Sequence, residues 1–124
     1  MEPHLNIWIE QNGTVVLSEW RVQLLEAIEQ TGSINGAAAV MKITFARAWG
    51  KIHEMEEGLG FKLVDTQIGG TGGGGATITA NGRTLMLKFR AFSQGLDEEI
   101  EQHFNTAFGQ SGQTDRRATR EAMF

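Results

Sequence analysis

Residues 33–59 read SINGAAAVMKITFARAWGKIHEMEEGL, and the way this stretch divides decides the fold. Ser33 has a short side chain whose oxygen accepts from the free amides of a starting helix, so a helix is expected over Ile34–Met41. Ala37, Ala38 and Ala39 lie within it, and side chains this small let two helices approach closely. After a turn of about three residues, Thr44 caps a further helix running to about Gly58. Its apolar positions Phe45, Ala48, Trp49, Ile52, Met55 and Leu59 recur at three- and four-residue steps, as in a helix that buries one side. Trp49 lies on that stripe and is expected in the core. A short helix, a tight turn and a capped amphipathic helix together make a helix-turn-helix.

The polar side of the last helix carries Arg47 and Lys51, four residues apart and therefore neighbours. Both lie in its N-terminal half, the part of a recognition helix that enters a major groove. Arg47 is suited to guanine O6 and N7 or a phosphate, and Lys51 to a phosphate or guanine. Taken alone, the pair reads better as two solvated charges on an exposed face; the surroundings give it meaning. The acids Glu54, Glu56 and Glu57 follow where the helix would leave the DNA, and read as a solvated face.

Upstream, residues 5–9 and 14–17 are β-rich runs separated by Gln11-Asn12-Gly13, a hairpin with Asn12-Gly13 at its turn. Ser18 is an N-cap for a helix with Trp20, Val22 or Leu24, Leu25 and Ile28 at helical spacing, and Gly32 suits its end. Downstream the period changes from helix to strand. Residues 61–67 and 76–79 read as paired strands around Ile68-Gly69-Gly70-Thr71-Gly72-Gly73-Gly74-Gly75. Two strands around a glycine-rich tip, directly after a recognition helix, describe a wing whose bare amides can approach phosphates. A nucleotide-binding P-loop would end in Gly-Lys-Ser/Thr and open into a helix, and a dinucleotide fingerprint needs a βαβ unit; neither is present. A plain flexible linker is the remaining competitor.

From Thr79 a long helix is expected, with Leu85, Phe89, Phe92, Leu96, Ile100, Phe104 and Phe108 at three- and four-residue steps. Helices beyond about 20 residues rarely stay within one domain, which favours pairing with a second copy. The competing arrangement folds the helix back over the N-terminal hairpin as core. Gly95 weakens the helix locally. Residues 110–124 are polar and expected to be disordered.

Composition narrows the function. The 124 residues fit one domain, 40% hydrophobic and 21% charged, with no cysteine to form a disulfide or a thiolate metal site. No apolar run approaches the roughly 20 residues of a membrane span. The start, Met1-Glu2-Pro3-His4, lacks a secretion signal's basic and apolar regions, so a cytoplasmic protein without membrane contact is expected. The net charge is −4. It is unevenly spread: residues 1–32 carry −4, residues 33–90 carry +3 and residues 91–124 carry −3. A phosphate-binding surface needs only a local positive field, and the basic excess lies in the middle third. His4, His53 and His103 are not spaced as metal ligands, no catalytic set is suggested, and neither cofactor nor metal is expected.

These residues carry a resemblance. Leu24-Leu25-Glu26-Ala27-Ile28, Gly32-Ser33-Ile34, Ala37-Ala38, Ala48-Trp49, the run Gly69 to Ala76, Thr79 and Gly82-Arg83 resemble the DNA-binding domain of molybdate-responsive ModE regulators, and more distantly the LysR-type helix-turn-helix. The resemblance implies a mainly α fold with a small β component: a winged helix-turn-helix over residues 1–79 and a dimerising linker helix over 80–108, before a tail over 109–124. It implies a homodimer on an inverted-repeat operator in double-stranded DNA. Ser33, Thr44, Phe45, Arg47, Lys51, Thr71, Gly72 and Gly73 would face the DNA. Leu85, Phe89, Phe92, Leu96, Ile100 and Phe104 would form the dimer face.

The sequence departs from the family pattern in three places. Lys42 stands where the motif's turn usually has glycine, Ala80 where proline is common, and the chain ends after the linker helix, without the oxyanion-binding domains of full-length ModE proteins. A regulator without its own molybdate sensor is therefore expected. The alternative is a winged-helix interaction module, in molybdenum or metal-enzyme metabolism, that does not itself bind DNA.

Overall fold

Asn12 and Gly13 adopt left-handed backbone angles, φ 54° and 82°, and turn strand β1 (Trp8–Gln11) back as β2 (Thr14–Ser18). Two successive positive φ values match the right-handed twist of a two-residue hairpin, which is why Asn-Gly is favoured there. Trp8 pairs with Ser18, Ile9 with Leu17, Glu10 with Val15 and Gln11 with Thr14, with an irregularity between Ile9 and Glu10. The computed structural model describes residues 1–68 and 74–109. The expected tail, residues 110–124, lies outside them, as do wing-tip residues 69–73.

The expected caps are all in use. Ser18 accepts from the Arg21 amide to start α1 (Glu19–Thr31), Ser33 from Gly36 to start α2 (Ile34–Met41), and Thr44 from Arg47 to start α3 (Phe45–Leu59). Each cap satisfies one of the amides that a helix start leaves without a partner. Gly32 and Gly60 close α1 and α3 in the left-handed conformation, and each donates its amide to the last turn. Strands β3 (Val64–Gln67) and β4 (Gly75–Ile78) form a second antiparallel hairpin, with Val64 opposite Ile78 and Gln67 opposite Gly75.

The core gathers one face from each element. Leu24, Leu25 and Ile28 of α1, Ala37 and Ala38 of α2, and Ala48, Ile52 and Met55 of α3 are buried together with Leu63, Ala76 and Met86. Gly36 explains itself here. A Cβ on it would lie 2.7 Å from Thr31 Cβ and 2.9 Å from Ser33 Oγ, so the entry of α2 is too close to the end of α1 for a side chain.

Residues 80–108 are helical in two segments, α4 (Ala80–Ser93) and α5 (Leu96–Phe108), parted at Gly95 with φ 87°. Thr79 begins α4 without proline: its Oγ1 accepts from the Gly82 amide and donates to the Lys62 carbonyl. By packing, the chain divides into two units, Ile7–Phe92 and Met1–Asn6 with the chain from Ser93. In the first, Phe89 of α4 is buried at 1% exposure beside Leu17 and Val22, and Leu85 is half-buried against the same cluster. Both were expected on a dimer face. Within this chain Phe89 is core instead and Leu85 packs at the edge of its cluster, because α4 lies against β2 and α1. Arg90 reinforces that packing, donating to Glu26 and Glu19 of α1, and Arg83 pairs with Glu29. In the second unit α5 has no buried residue, although Leu96, Ile100, Phe104 and Phe108 recur along one side. The rings of Phe104 and Phe108 stack at 4.6 Å.

Candidate nucleic-acid interface

The turn between α2 and α3 fixes how α3 is presented. Lys42 takes φ 60° and ψ 45°, a left-handed residue whose amide donates to the Ala39 carbonyl. A residue with a Cβ pays about 1–2 kcal/mol there, which glycine would avoid. The Ile43 amide then reaches the Ala38 carbonyl at 3.0 Å, closing the turn. Lys42 and Thr44 are both exposed at the start of α3.

At 3.6 residues per turn, Ala48, Ile52 and Met55 define the buried side of α3, and the remaining residues fall into three strips. The middle of the solvent side holds Ala46, Gly50 and, two turns further on, Glu57, all exposed. One flank is aromatic: Phe45 is 47% and Trp49 46% exposed, and the His53 ring stacks on Trp49 at 3.6 Å. His53 Nδ1 lies 2.9 Å from the Trp49 carbonyl, which can only accept, so this nitrogen carries the proton. The other flank is charged. Arg47 lies over the Trp20 ring at 5.8 Å, and Lys51 Nζ is 3.6 Å from Glu54 Oε1. Glu54 also pairs at 3.3 Å with Arg21, whose side chain is largely buried and whose Nη1 has no partner among the described residues.

Trp49 thus differs from the expectation that it is core. The three- and four-residue steps that include it are correct, but the stripe is centred on Ala48 and Ile52, and Trp49 falls beyond its edge. The acidic cluster differs as well. Glu56 Oε2 accepts from the amides of Leu63 and Val64 at 2.8 and 3.1 Å, bracing the start of β3 on α3, while Glu54 holds Arg21 and Lys51. Glu54 and Glu57 are exposed, as expected, and only Glu56 is half-buried. Ala46, Gly50, Trp49 and His53 occupy the solvent side without having been singled out for it. The signal was available: Ala46, Gly50 and His53 lie opposite Ala48, Ile52 and Met55, and Trp49 lies to one side of them.

Ser33 and Thr44 use their oxygens as caps, which leaves their hydroxyl hydrogens to donate elsewhere. The wing's strands are fastened to the same region, since the Ala76 amide donates to the Gly32 carbonyl at 2.8 Å. Thr71, Gly72 and Gly73 lie outside the described residues. Among the described residues no group of three or more His, Cys, Asp or Glu side chains could hold a metal ion. No described helix is long and apolar enough to cross a membrane.

The pattern of the bacterial regulatory helix-turn-helix protein, lysR family, matches residues 21–83, from the first turn of α1 to the first turn of α4. The chain belongs to this family. The molybdenum transport protein ModE of Azotobacter vinelandii is 43% identical over 75 residues, covering 60% of this chain and 28% of that protein. The molybdenum-pterin-binding protein MopB of Rhodobacter capsulatus is 35% identical over 88 residues, covering 71% and 32%. The DNA-binding transcriptional dual regulator ModE of Escherichia coli K12 is 36% identical over 74 residues, covering 60% and 28%. The chain therefore matches less than a third of the length of each of these relatives.

Proposed function

We propose that this chain is a DNA-binding transcriptional regulator of the ModE type, working in the cytoplasm as a homodimer on an inverted-repeat operator. The observation that carries the reading is that the lysR-family match over residues 21–83 coincides with a complete, capped α2–turn–α3 unit. In this reading α3 enters a major groove, with Phe45, Arg47 and Lys51 toward the bases and rim. Ser33 and Thr44 donate to phosphates from the helix N-termini, where amides and dipole favour an anion. Thr71, Gly72 and Gly73, which the sequence assigns to a wing, serve the neighbouring backbone in this reading. Two half-sites are read about one helical turn, roughly 34 Å, apart.

The second copy is held through the apolar side of the C-terminal helices. Phe92 is 53% exposed, and the side of α5 that carries Leu96, Ile100 and Phe104 has no buried residue. A second copy would cover that face. Phe89 and Leu85 support the interface from beneath, since they are packed within their own chain.

The test is a gel-shift titration against the duplex upstream of the protein's own gene at two salt concentrations. A discrete shift that survives competitor DNA and weakens with salt is expected, because phosphate contacts release counterions. A folded, dimeric protein that shifts no duplex at low salt would replace this reading with a protein-interaction module.

A further inference from the structure

The solvent side of α3 offers few hydrogen-bonding groups for a surface that reads bases. Over the N-terminal half of α3, ahead of Glu57, its centre is Ala46 and Gly50, and its aromatic flank is Phe45 and Trp49, both about half exposed although both are large apolar groups. Trp49 is also braced. His53 stacks on its ring at 3.6 Å and is tied back to the Trp49 carbonyl at 2.9 Å, which holds the pair in one arrangement. Exposed cations, Lys42 and Arg47, stand near the N-terminal end of this uncharged strip. Phosphates form the rims of a major groove and base edges its floor, so an uncharged strip near cations is complementary to it. On that floor the thymine C5-methyl is the apolar group, and alanine and phenylalanine side chains are among those that contact it.

Resting on the DNA-binding reading above, we propose that α3 recognises thymine methyl groups through Phe45, Ala46 and Trp49. His53 is a positioning residue for the indole. Gly50 contributes by having no side chain: it leaves bare backbone between the two flanks, so the helix can settle close to the groove floor. The operator half-site then carries thymines under α3, and specificity comes from shape and methyl burial together with Arg47.

The experiment begins by selecting duplexes from a randomised pool with the full chain. Each thymine of the enriched duplex is then replaced singly by deoxyuridine, which removes only the methyl. At one or more thymines of each half-site the replacement weakens binding about fourfold, the worth of one buried methyl-sized group. That loss disappears in Phe45→Ala or Trp49→Ala protein. His53→Phe, which keeps a ring against Trp49, retains the uracil sensitivity, whereas His53→Ala loses it. An enriched duplex that tolerates uracil at every position overturns the inference and leaves the DNA-binding reading standing. A uracil effect of unchanged size in both alanine variants also overturns it. If the folded protein enriches no duplex at all, the DNA-binding reading fails and the inference with it.

Discussion

The amide of Ala76 donates to the carbonyl of Gly32 across 2.8 Å, so the second strand of the wing is fastened to the turn that precedes α2. Gly32 has φ 78°, and that left-handed angle is what turns the chain from α1 toward α2. Replacing Gly32 by alanine strains the angle by about 1–2 kcal/mol. The urea midpoint of Gly32→Ala falls by the equivalent amount with an unchanged slope. The Ala76 amide also exchanges its hydrogen faster. A variant with the wild-type midpoint would show that the turn does not need the left-handed residue.

Lys42 poses the opposite case, a side chain where the backbone favours glycine, at φ 60°. Lys42→Gly relieves this conformation and raises stability by about 1 kcal/mol, less the extra freedom gained by the unfolded chain. The same change removes an exposed cation beside the start of α3. The variant is expected to melt at a higher temperature yet bind duplex DNA with a shallower salt dependence, since one fewer phosphate is neutralised. Stability and binding moving together would separate Lys42 from the DNA.

Two helical glycines respond in opposite directions. At Gly36 an added Cβ meets Thr31 Cβ at 2.7 Å, whereas at Gly50 nothing lies within 4 Å of it. Gly36→Ala forces α1 and α2 apart and costs about 1–3 kcal/mol. Gly50→Ala gains about 1 kcal/mol of helix propensity. Thermal denaturation of the two variants orders them on either side of the wild type. A destabilised Gly50→Ala protein would contradict the open surface seen at that position.

Much of this fold was legible because local chemistry fixed it. Ser18, Ser33 and Thr44 each have an oxygen two bonds from the α-carbon, and Asn12-Gly13 supplies the two positive φ values of a hairpin turn, so these elements begin and turn where the residues say. Tertiary matters were less legible. Trp49 shares the spacing of the core stripe, but only the packing partners decide where the edge of that stripe falls. Glu56 has the composition of a solvated acid, and its use as acceptor for Leu63 and Val64 depends on a strand meeting the helix seven residues later. The seven-residue apolar rhythm from Leu85 to Phe108 spans a change of environment at Gly95. Phe89 keeps the rhythm while belonging to the core.

Arg90 joins α4 to α1 by a forked contact. Its Nε and Nη2 donate to the two oxygens of Glu26 at 3.0 and 2.8 Å, and its Nη1 donates to Glu19 at 2.8 Å. Glu26 first and Glu19 second hold the guanidinium charged to higher pH than an ordinary arginine. A raised value contributes stability that is fully present below the unfolded pKa and is lost only as pH climbs past the folded one. For this arginine that loss lies beyond the alkaline range in which the chain is handled. Partly exposed ion pairs are worth about 1 kcal/mol or less each, so Arg90→Ala is expected to lose about 1–2 kcal/mol. The deficit should stay constant from pH 7 to about pH 10, because the arginine stays charged throughout that interval, and should shrink in high salt. A deficit that disappears on raising the pH across that interval would assign the stabilisation to another group.

Phe89 and Phe92 lie three residues apart on α4 with their rings edge to face at 6.2 Å, yet one is 1% and the other 53% exposed in the chain. Their replacement therefore separates folding from assembly. Phe89→Ala opens a cavity beside Leu17 and Val22 and costs about 3–5 kcal/mol, a large part of the stability of a small domain. That loss is read at any protein concentration. Phe92→Ala removes an exposed ring and costs the isolated chain about 1 kcal/mol, mainly the ring pair. If two copies meet through Phe92 and the apolar side of α5, Phe92→Ala raises the dimer dissociation constant about fivefold or more, the effect of losing about 1 kcal/mol or more at an interface position that carries binding. Sedimentation equilibrium over a range of concentrations measures this directly. A dimer of unchanged strength in Phe92→Ala, with α5 intact by circular dichroism, would remove Phe92 from the interface and place the contact elsewhere on the chain.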